Sequence, residues 1–487
     1  MKNLSKFTKM LLLAGVTASL PLGLFSCKKK SSNEQVQVSQ PYFQVGQPVS
    51  NAGPVHGSIK GTMLAGQEYD IDGDVTINHG DTLVIQPGAK LYFGDTPPGG
   101  NAISMIVRGN LLSLGNKDNP IYFTKKNQAK MDNPGQDPTT DPAYQGLWGG
   151  ILGDTNTQKM IIKWTHIEFG CGKLTTSPVV GISNGGPAYM ISFVNPNGIF
   201  VLEDSWMYGG VDDPMRIQGG KINIMRNTFE KGGFVGGESC NIKSGTVGNY
   251  AYNVTVGSAT NGPKASNKGG KNPQTNIYMY NNTIVNSGYR RNAAGRGGSL
   301  NFEQGAAGKA YNNIVVNCKY GLRVLCSPLG NSTQYSNNPL PPADTANIRY
   351  GHNLYYVDSL AQANQIYPVE AGTIPQISDI PNFFTLGITI ALPIVAYDGT
   401  AAIRATGTNP QFANWTLPST TPLLQDIAYA TGFNFHLNGG SPALGKGFTG
   451  FGPQQVVPID ANFGSSGITP PNVDLGAYPS DGTGNQH

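Results

Sequence analysis

Charge is scarce in this chain. Only 13% of its 487 residues are Asp, Glu, Lys or Arg, and the net charge is +4. No long basic stripe interleaved with aromatics runs through it, so the footprint of a nucleic-acid binder is missing. No CxxC pair occurs and the six histidines are scattered, which leaves a structural zinc site without ligands. Two-residue Asn-Gly or Asp-Gly turns between paired strands are scarce, which argues against a sandwich of antiparallel hairpins. Beyond residue 27 no apolar run is long enough to cross a bilayer. What is plentiful is turn-forming material, with 65 glycines and 34 prolines.

The first residues set the compartment. Lys2, Lys6 and Lys9 precede the apolar stretch MLLLAGVTASLPLGLF, and Leu24-Phe25-Ser26-Cys27 closes it. A basic start, a short apolar run, then a small residue before cysteine is the order of a lipoprotein export signal. Residues 1–26 are therefore expected to be removed and Cys27 lipidated. Residues 27–56 are expected to be a polar tether, whose Lys28, Lys29 and Lys30 favour anionic headgroups. That points to outer-membrane attachment, with periplasmic and surface-facing display both open. An exported chain permits disulfides, but the wide spacing of Cys171, Cys240, Cys318 and Cys326 suits buried thiols better. A Cys318–Cys326 bridge stays open.

Short β-rich runs follow one another from the tether onward. Val75–Ile77, Leu83–Ile85 and Leu91–Phe93 are separated by turns; after a Pro/Gly loop come Met105–Val107, Leu111–Leu114 and Ile121–Thr124. No helical period lies between them, which excludes βαβ units. Three strands, a loop and three strands again read as two coils of a solenoid, with Val84 and Leu111 in its core. Further along, a polar turn precedes a hydrophobic strand at His166-Ile167, Ser205-Trp206, Asn227-Thr228, Asn253-Val254, Asn282-Thr283, Asn313-Ile314 and Asn353-Leu354. Intervals of this size mean stacked repeats. An amide at the turn can bond the same turn in the coils above and below, and stacking builds the apolar core that no single coil can close.

Gly73-Asp74-Val75, Thr82-Leu83-Val84-Ile85-Gln86-Pro87-Gly88, Val107-Arg108-Gly109-Asn110-Leu111, Asn119-Pro120-Ile121 and Trp148-Gly149-Gly150-Ile151 together resemble a family of right-handed parallel β-helix lipoproteins common in Bacteroidota. Asn409-Pro410-Gln411-Phe412, Ser441-Pro442-Ala443 and Asp474-Leu475-Gly476-Ala477-Tyr478 resemble the ends of β-helix exoproteins. The resemblance implies an all-β, right-handed parallel β-helix with three strands per coil over residues 57–360. A long loop or cover follows at 361–408, and a C-terminal helix-associated segment at 409–487. It implies no particular activity.

Motifs with chemistry are few. Asp70, Asp72 and Asp74 have the spacing of a calcium loop, but the glycine falls in the wrong place and no glutamate closes it. No cofactor is expected. Gly305-Ala306-Ala307-Gly308-Lys309 lacks the rest of a phosphate loop. Val211-Asp212-Asp213 resembles the paired aspartates of polygalacturonase-type glycosidases, whose Gly-His-Gly is missing here. Tyr289-Arg290-Arg291 and Arg296 could serve a uronate lyase. Counting forward from Trp206, Phe229, Ile284 and Val315 puts Asp212, Asp213, Tyr289, Arg290, Arg291 and Tyr320 on one side of the coils. With Trp206 and Arg296 they form the candidate ligand-binding strip. Aromatics with mixed charge suit a polysaccharide partner, probed first as binding and next as lyase chemistry. A structural or adhesive envelope role is the third class.

Overall fold

A computed structural model of the chain describes residues 41–131, 138–234, 236–291, 297–324, 343–356, 409–415 and 433–487. From Tyr42 onward these belong to one unit. The signal segment, Cys27, Arg296, Cys326 and the expected cover at 361–408 lie outside the described residues.

The unit is all-β, and its long sheets are parallel. Each strand of the repeat pairs with the one three places further along the chain. Thr82–Ile85 pairs with Asn110–Leu114, Lys90–Phe93 with Ile121–Thr124, and Met105–Val107 with Ile151–Gly153. Three rows of parallel strands result, which makes the body a parallel β-solenoid. The first row is a ten-stranded sheet from Gly61–Met63 to Ile348–Gly351. The second and third join into a 19-stranded sheet, because the long strand Glu68–Ile77 bends through both. Its first half pairs with Lys90–Phe93 and its second half with Met105–Val107.

Alternation decides what faces inward. Leu83, Ile85, Leu91, Phe93, Met105, Val107, Leu111, Ile121 and Phe123 fill the interior, as expected of strands with one buried face. Val84 corrects the expectation. It is buried, but on the outward side of the first row, in line with Leu112, Ile161 and Val201, where it packs with Val457. Phe43, Val45 and Phe463 lie against the same patch. Residues 43–49, expected to lie in the tether, pack on the body: Val45 N–H donates to Thr62 Oγ1 and Val49 N–H to Thr62 O.

The polar turns behave as the repeat requires. The backbone N–H of Ser205, Asn227, Asn253, Asn282 and Asn313 each donates to the side-chain Oδ1 of the next asparagine, ending at Asn353, at 2.9–3.0 Å. The amide Nδ2 of Asn253, Asn282 and Asn313 reaches back to the carbonyls of Ile224, Tyr250 and Met279. One residue before each asparagine the backbone is left-handed, with φ between 51° and 61° at Arg226, Tyr252, Asn281, Asn312 and His352. The ladder satisfies donors and acceptors at a corner with no strand partner.

The chain's own segments cover much of the outside. Residues 126–131 and 138–147 lie over the second row, where Lys130 meets Glu168 at 3.2 Å and Lys231 meets Asp141 at 2.7 Å. The C-terminal segment covers the later coils of that row, with Phe412, Phe435, Leu475 and Tyr478 on Val254, Val285, Ile314 and Leu354. It also runs along the first row through Gln454–Asn249, Ser465–Asn223 and Thr469–Tyr280 contacts. Cys171, Cys240 and Cys318 are free buried thiols, and burial pushes Cys171 and Cys318 up to about 12, which makes them unreactive. No helix among the described residues is long and apolar enough to cross a membrane.

Candidate functional site

The corner between the second and third rows is where the strip was expected. Its turns do stack, with Phe234 N–H donating to Val211 O, Arg291 N–H to Ala259 O and Lys319 N–H to Ser287 O. The counted register is corrected in two places: Trp206 pairs with Thr228 and not Phe229, and the coil of Val254–Val256 lies between those of Phe229 and Ile284. The expected side chains are nonetheless occupied elsewhere. Arg290 is 6% exposed and donates to the carbonyls of Gly232, Gly233, Phe234 and Gly257. Its guanidinium also lies 5.1 Å from the ring centre of Tyr144. It is a structural clamp on three turns and not a solvated loop arginine. Tyr320 is buried, and Tyr289 is half-buried at the same hydrophobic cluster as Trp415 and Phe433 of the C-terminal segment. Arg291 is half-buried, and its carbonyl accepts from Lys319 Nζ at 2.8 Å.

Trp206 belongs to a different ladder. Tyr122, His166 and Trp206 stack outward on adjacent strands of the second row, at 4.5 and 4.3 Å between ring centres. His487 covers Trp206 at 3.5 Å. Stacked rings spend their faces on one another, so this ladder offers no flat platform to a sugar. The three aspartates near the start have separate partners. Asp70 pairs with Lys126, Asp72 with His56, and Asp74 accepts from Ser104 N–H. They do not converge, and no cluster able to hold a metal occurs among the described residues.

Asp213 is where chemistry gathers. Gly237 has φ 120° and lies so close to the preceding turn that a Cβ would come within 2.6 Å of Asp212 O. That approach brings the Glu238 N–H to Asp213 Oδ1 at 2.9 Å. Arg216 holds Asp213 Oδ2 through Nε and Nη2 at 3.0 and 2.5 Å, and Asn241 Nδ2 bridges Asp213 and Glu238 at 2.7 and 3.2 Å. Lys264 Nζ is 2.7 Å from Glu238 and 3.8 Å from Glu303. Burial, then the neighbouring Glu238, push Asp213 up to about 7, while Arg216 opposes them. Asp213 therefore keeps a proton to higher pH than an ordinary carboxyl does. Burial, with Lys264 and Arg216 alongside, lowers Lys243 to about 8. Asp212, the other expected aspartate, is half-buried in the adjoining turn.

These side chains form an outward row on the third sheet face. In register it reads Ile106, Leu152, Ser192, Arg216, Asn241, Lys264, Asn301, Arg323. Ile106 and Leu152 are covered by Leu174, Val179, Ile182 and Tyr189 from a folded-back loop. Further along the row turns polar, with Arg216 half-buried and Asn241, Lys264, Asn301 and Arg323 only 1–5% exposed. Arg216 stacks on the edge of the cover, 4.2 Å from the Tyr189 ring centre. Apart from Asp213 the sequence reading missed this row, although Met215-Arg216-Ile217, Cys240-Asn241-Ile242 and Leu300-Asn301-Phe302 each show one polar residue between apolar ones. A cavity of about 700 Å³ lies elsewhere, by Arg226, Ile468, Pro470 and Asp481. There Arg226 is already held by Asp204 and Thr469.

Searches of family models, of curated proteins and of solved structures found no match to this chain.

Proposed function

We propose that this is an envelope lipoprotein, anchored in the outer membrane through Cys27, whose right-handed parallel β-helix holds an extended acidic polysaccharide. The binding site is the row from Arg216 through Asn241 and Lys264 to Asn301. Right-handedness follows the general preference of parallel crossovers and the resemblance to β-helix lipoproteins. One observation carries the site. The outward residues of the third row switch from covered apolar groups to a charged, amide-rich ladder, while segments of the same chain cover much of the other two rows. Parallel strands lie about 4.8 Å apart, so the ladder offers repeating groups to a repeating polymer. Arginine and lysine suit carboxylate or sulfate on that polymer.

A uronate lyase is the second reading, favoured by the lowered pKa of Lys243 beside two cations. Its free amine takes the proton from the carbon next to the uronate carboxylate, which Arg216 and Lys264 hold. The electron pair forms a carbon–carbon double bond, the glycosidic carbon–oxygen bond breaks, and Asp213 returns a proton to the leaving oxygen. Perturbed groups of this kind mark functional sites more often than plain surfaces.

The test uses exported Cys27→Ala chain, expected to leave the membrane fraction without detergent. Acidic polysaccharides should raise its melting temperature, and Arg216→Ala should weaken that binding. An ultraviolet-absorbing unsaturated product, lost in Lys243→Ala, would establish the lyase. If no acidic or neutral polysaccharide binds, the glycan reading is wrong and a structural or adhesive role replaces it.

A further inference from the structure

The polar row has a repeat of its own. Arg216, Lys264 and Arg323 stand on alternate coils, with Asn241 and Asn301 on the coils between them. Both amides are used in the same way. Asn241 Nδ2 goes to Asp213 and Glu238, and Asn301 Nδ2 goes to Glu303 at 3.0 Å. The Oδ1 of each is buried without a hydrogen-bond partner, as are the Oδ1 of Asn261 and the hydroxyls of Thr260 and Ser299 in the adjoining turns. A buried acceptor is costly unless something donates to it. Cation coils thus present donors and amide coils present acceptors, and each kind recurs roughly every 10 Å, twice the strand spacing.

We infer that the row fits a polysaccharide in which acidic sugars alternate with sugars carrying an N–H or O–H donor, such as a uronate–N-acetylhexosamine copolymer. This rests on the glycan reading of the same site. In an extended polysaccharide each sugar advances by about the rise of one coil, so an alternating polymer keeps step with the row. A homopolyuronate sets a carboxylate against each asparagine oxygen, acceptor against acceptor, and crowds charge toward Asp213, Glu238 and Glu303. That mismatch is a device for rejecting the wrong polymer. The charge balance agrees. Arg216 and Lys264 pair with Asp213, Glu238 and Glu303, Asp213 is raised toward neutral pH, and Arg323 adds a further cation to the row, which leaves a small positive excess suited to one charge on every second sugar. Arg216 and Lys243 are the half-buried members of the site, while Asn241, Lys264, Asn301 and Arg323 are buried beneath them.

The experiment titrates the exported chain with hyaluronan and with polygalacturonate of matched length, following heat. Hyaluronan should bind about tenfold more tightly, the worth of roughly one net hydrogen bond. Asn301→Ala should bring the two polymers close to equal without changing the melting temperature of the free protein by more than a few degrees. Should that variant fail to fold, the ranking by the parent protein decides alone. If polygalacturonate binds as well as or better than hyaluronan, while Arg216→Ala weakens both, the alternation is wrong and the site stands. If neither polymer binds, the site reading falls with it.

Discussion

Asn282→Ala cuts the corner ladder at its middle, and its cost can be worked bond by bond. Asn282 is fully buried. Its Oδ1 accepts from Asn253 N–H at 3.0 Å and from Asn253 Nδ2 at 3.3 Å. Its Nδ2 donates to Tyr250 O at 3.1 Å and to Asn313 Oδ1 at 2.9 Å. Alanine removes all four and leaves the Asn253 N–H with no acceptor at that corner. Each net hydrogen bond contributes about 1 kcal/mol, and a buried orphan costs about 1–3 kcal/mol. The expected loss is therefore about 4 kcal/mol, well above an ordinary surface change of about 0.5 kcal/mol. Chemical denaturation read by circular dichroism measures it, with Asn51→Ala, an exposed position, as the control. Because stacked repeats can unzip in parts, amide exchange at Val254–Val256 and Thr283–Val285 should report the local loss as well. Equal stability of Asn282→Ala and Asn51→Ala would show that the ladder holds nothing together.

Two further expectations follow. Arg290→Ala should destabilise by about 3 kcal/mol or more, because several buried carbonyls lose their donor; Arg290→Lys should recover little, since an ammonium cannot fork across three turns. Thermal unfolding decides this, and unchanged stability would restore Arg290 to a surface role. Glu168 is held down to about 2 from an ordinary 4.5: burial opposes ionisation, but His166, Lys130 and Thr124 outweigh it. A depressed carboxylate stabilises the fold above its unfolded pKa and loses that contribution as pH falls toward 2. The loss amounts to about 3 kcal/mol. Glu168→Gln should flatten the acid limb of stability against pH, and an unchanged limb would contradict the ion pair.

Much of the fold is legible in the residues, because strand alternation and the asparagine turns are local signals. Val75–Ile77, Met105–Val107 and Ile121–Thr124 lie where period-two patterning puts them. Val84 misleads because a strand covered on both sides is apolar on both, and only the distant Val457 shows which cover it meets. The site is harder to read. Counting from Trp206, Phe229 and Ile284 starts one residue out at Trp206, whose partner is Thr228, and the corner turns that follow differ in length. Arg216, Asn241 and Asn301 therefore sit at unequal distances along the chain, although they adjoin in space. Arg290 and Trp206 look exposed in sequence because nothing local announces Tyr144 or His487, the partners that cover them.

The most direct test of the glycan site is amide hydrogen exchange of the exported chain, with and without saturating acidic polysaccharide. Backbone amides in Met215–Gln218, Cys240–Lys243 and Pro263–Ser266 should gain protection, together with the turns that carry Asp213, Glu238 and Asn261. Protection confined to the Tyr122–His166–Trp206 ladder or to the C-terminal segment, with the third row unchanged, would contradict the assignment.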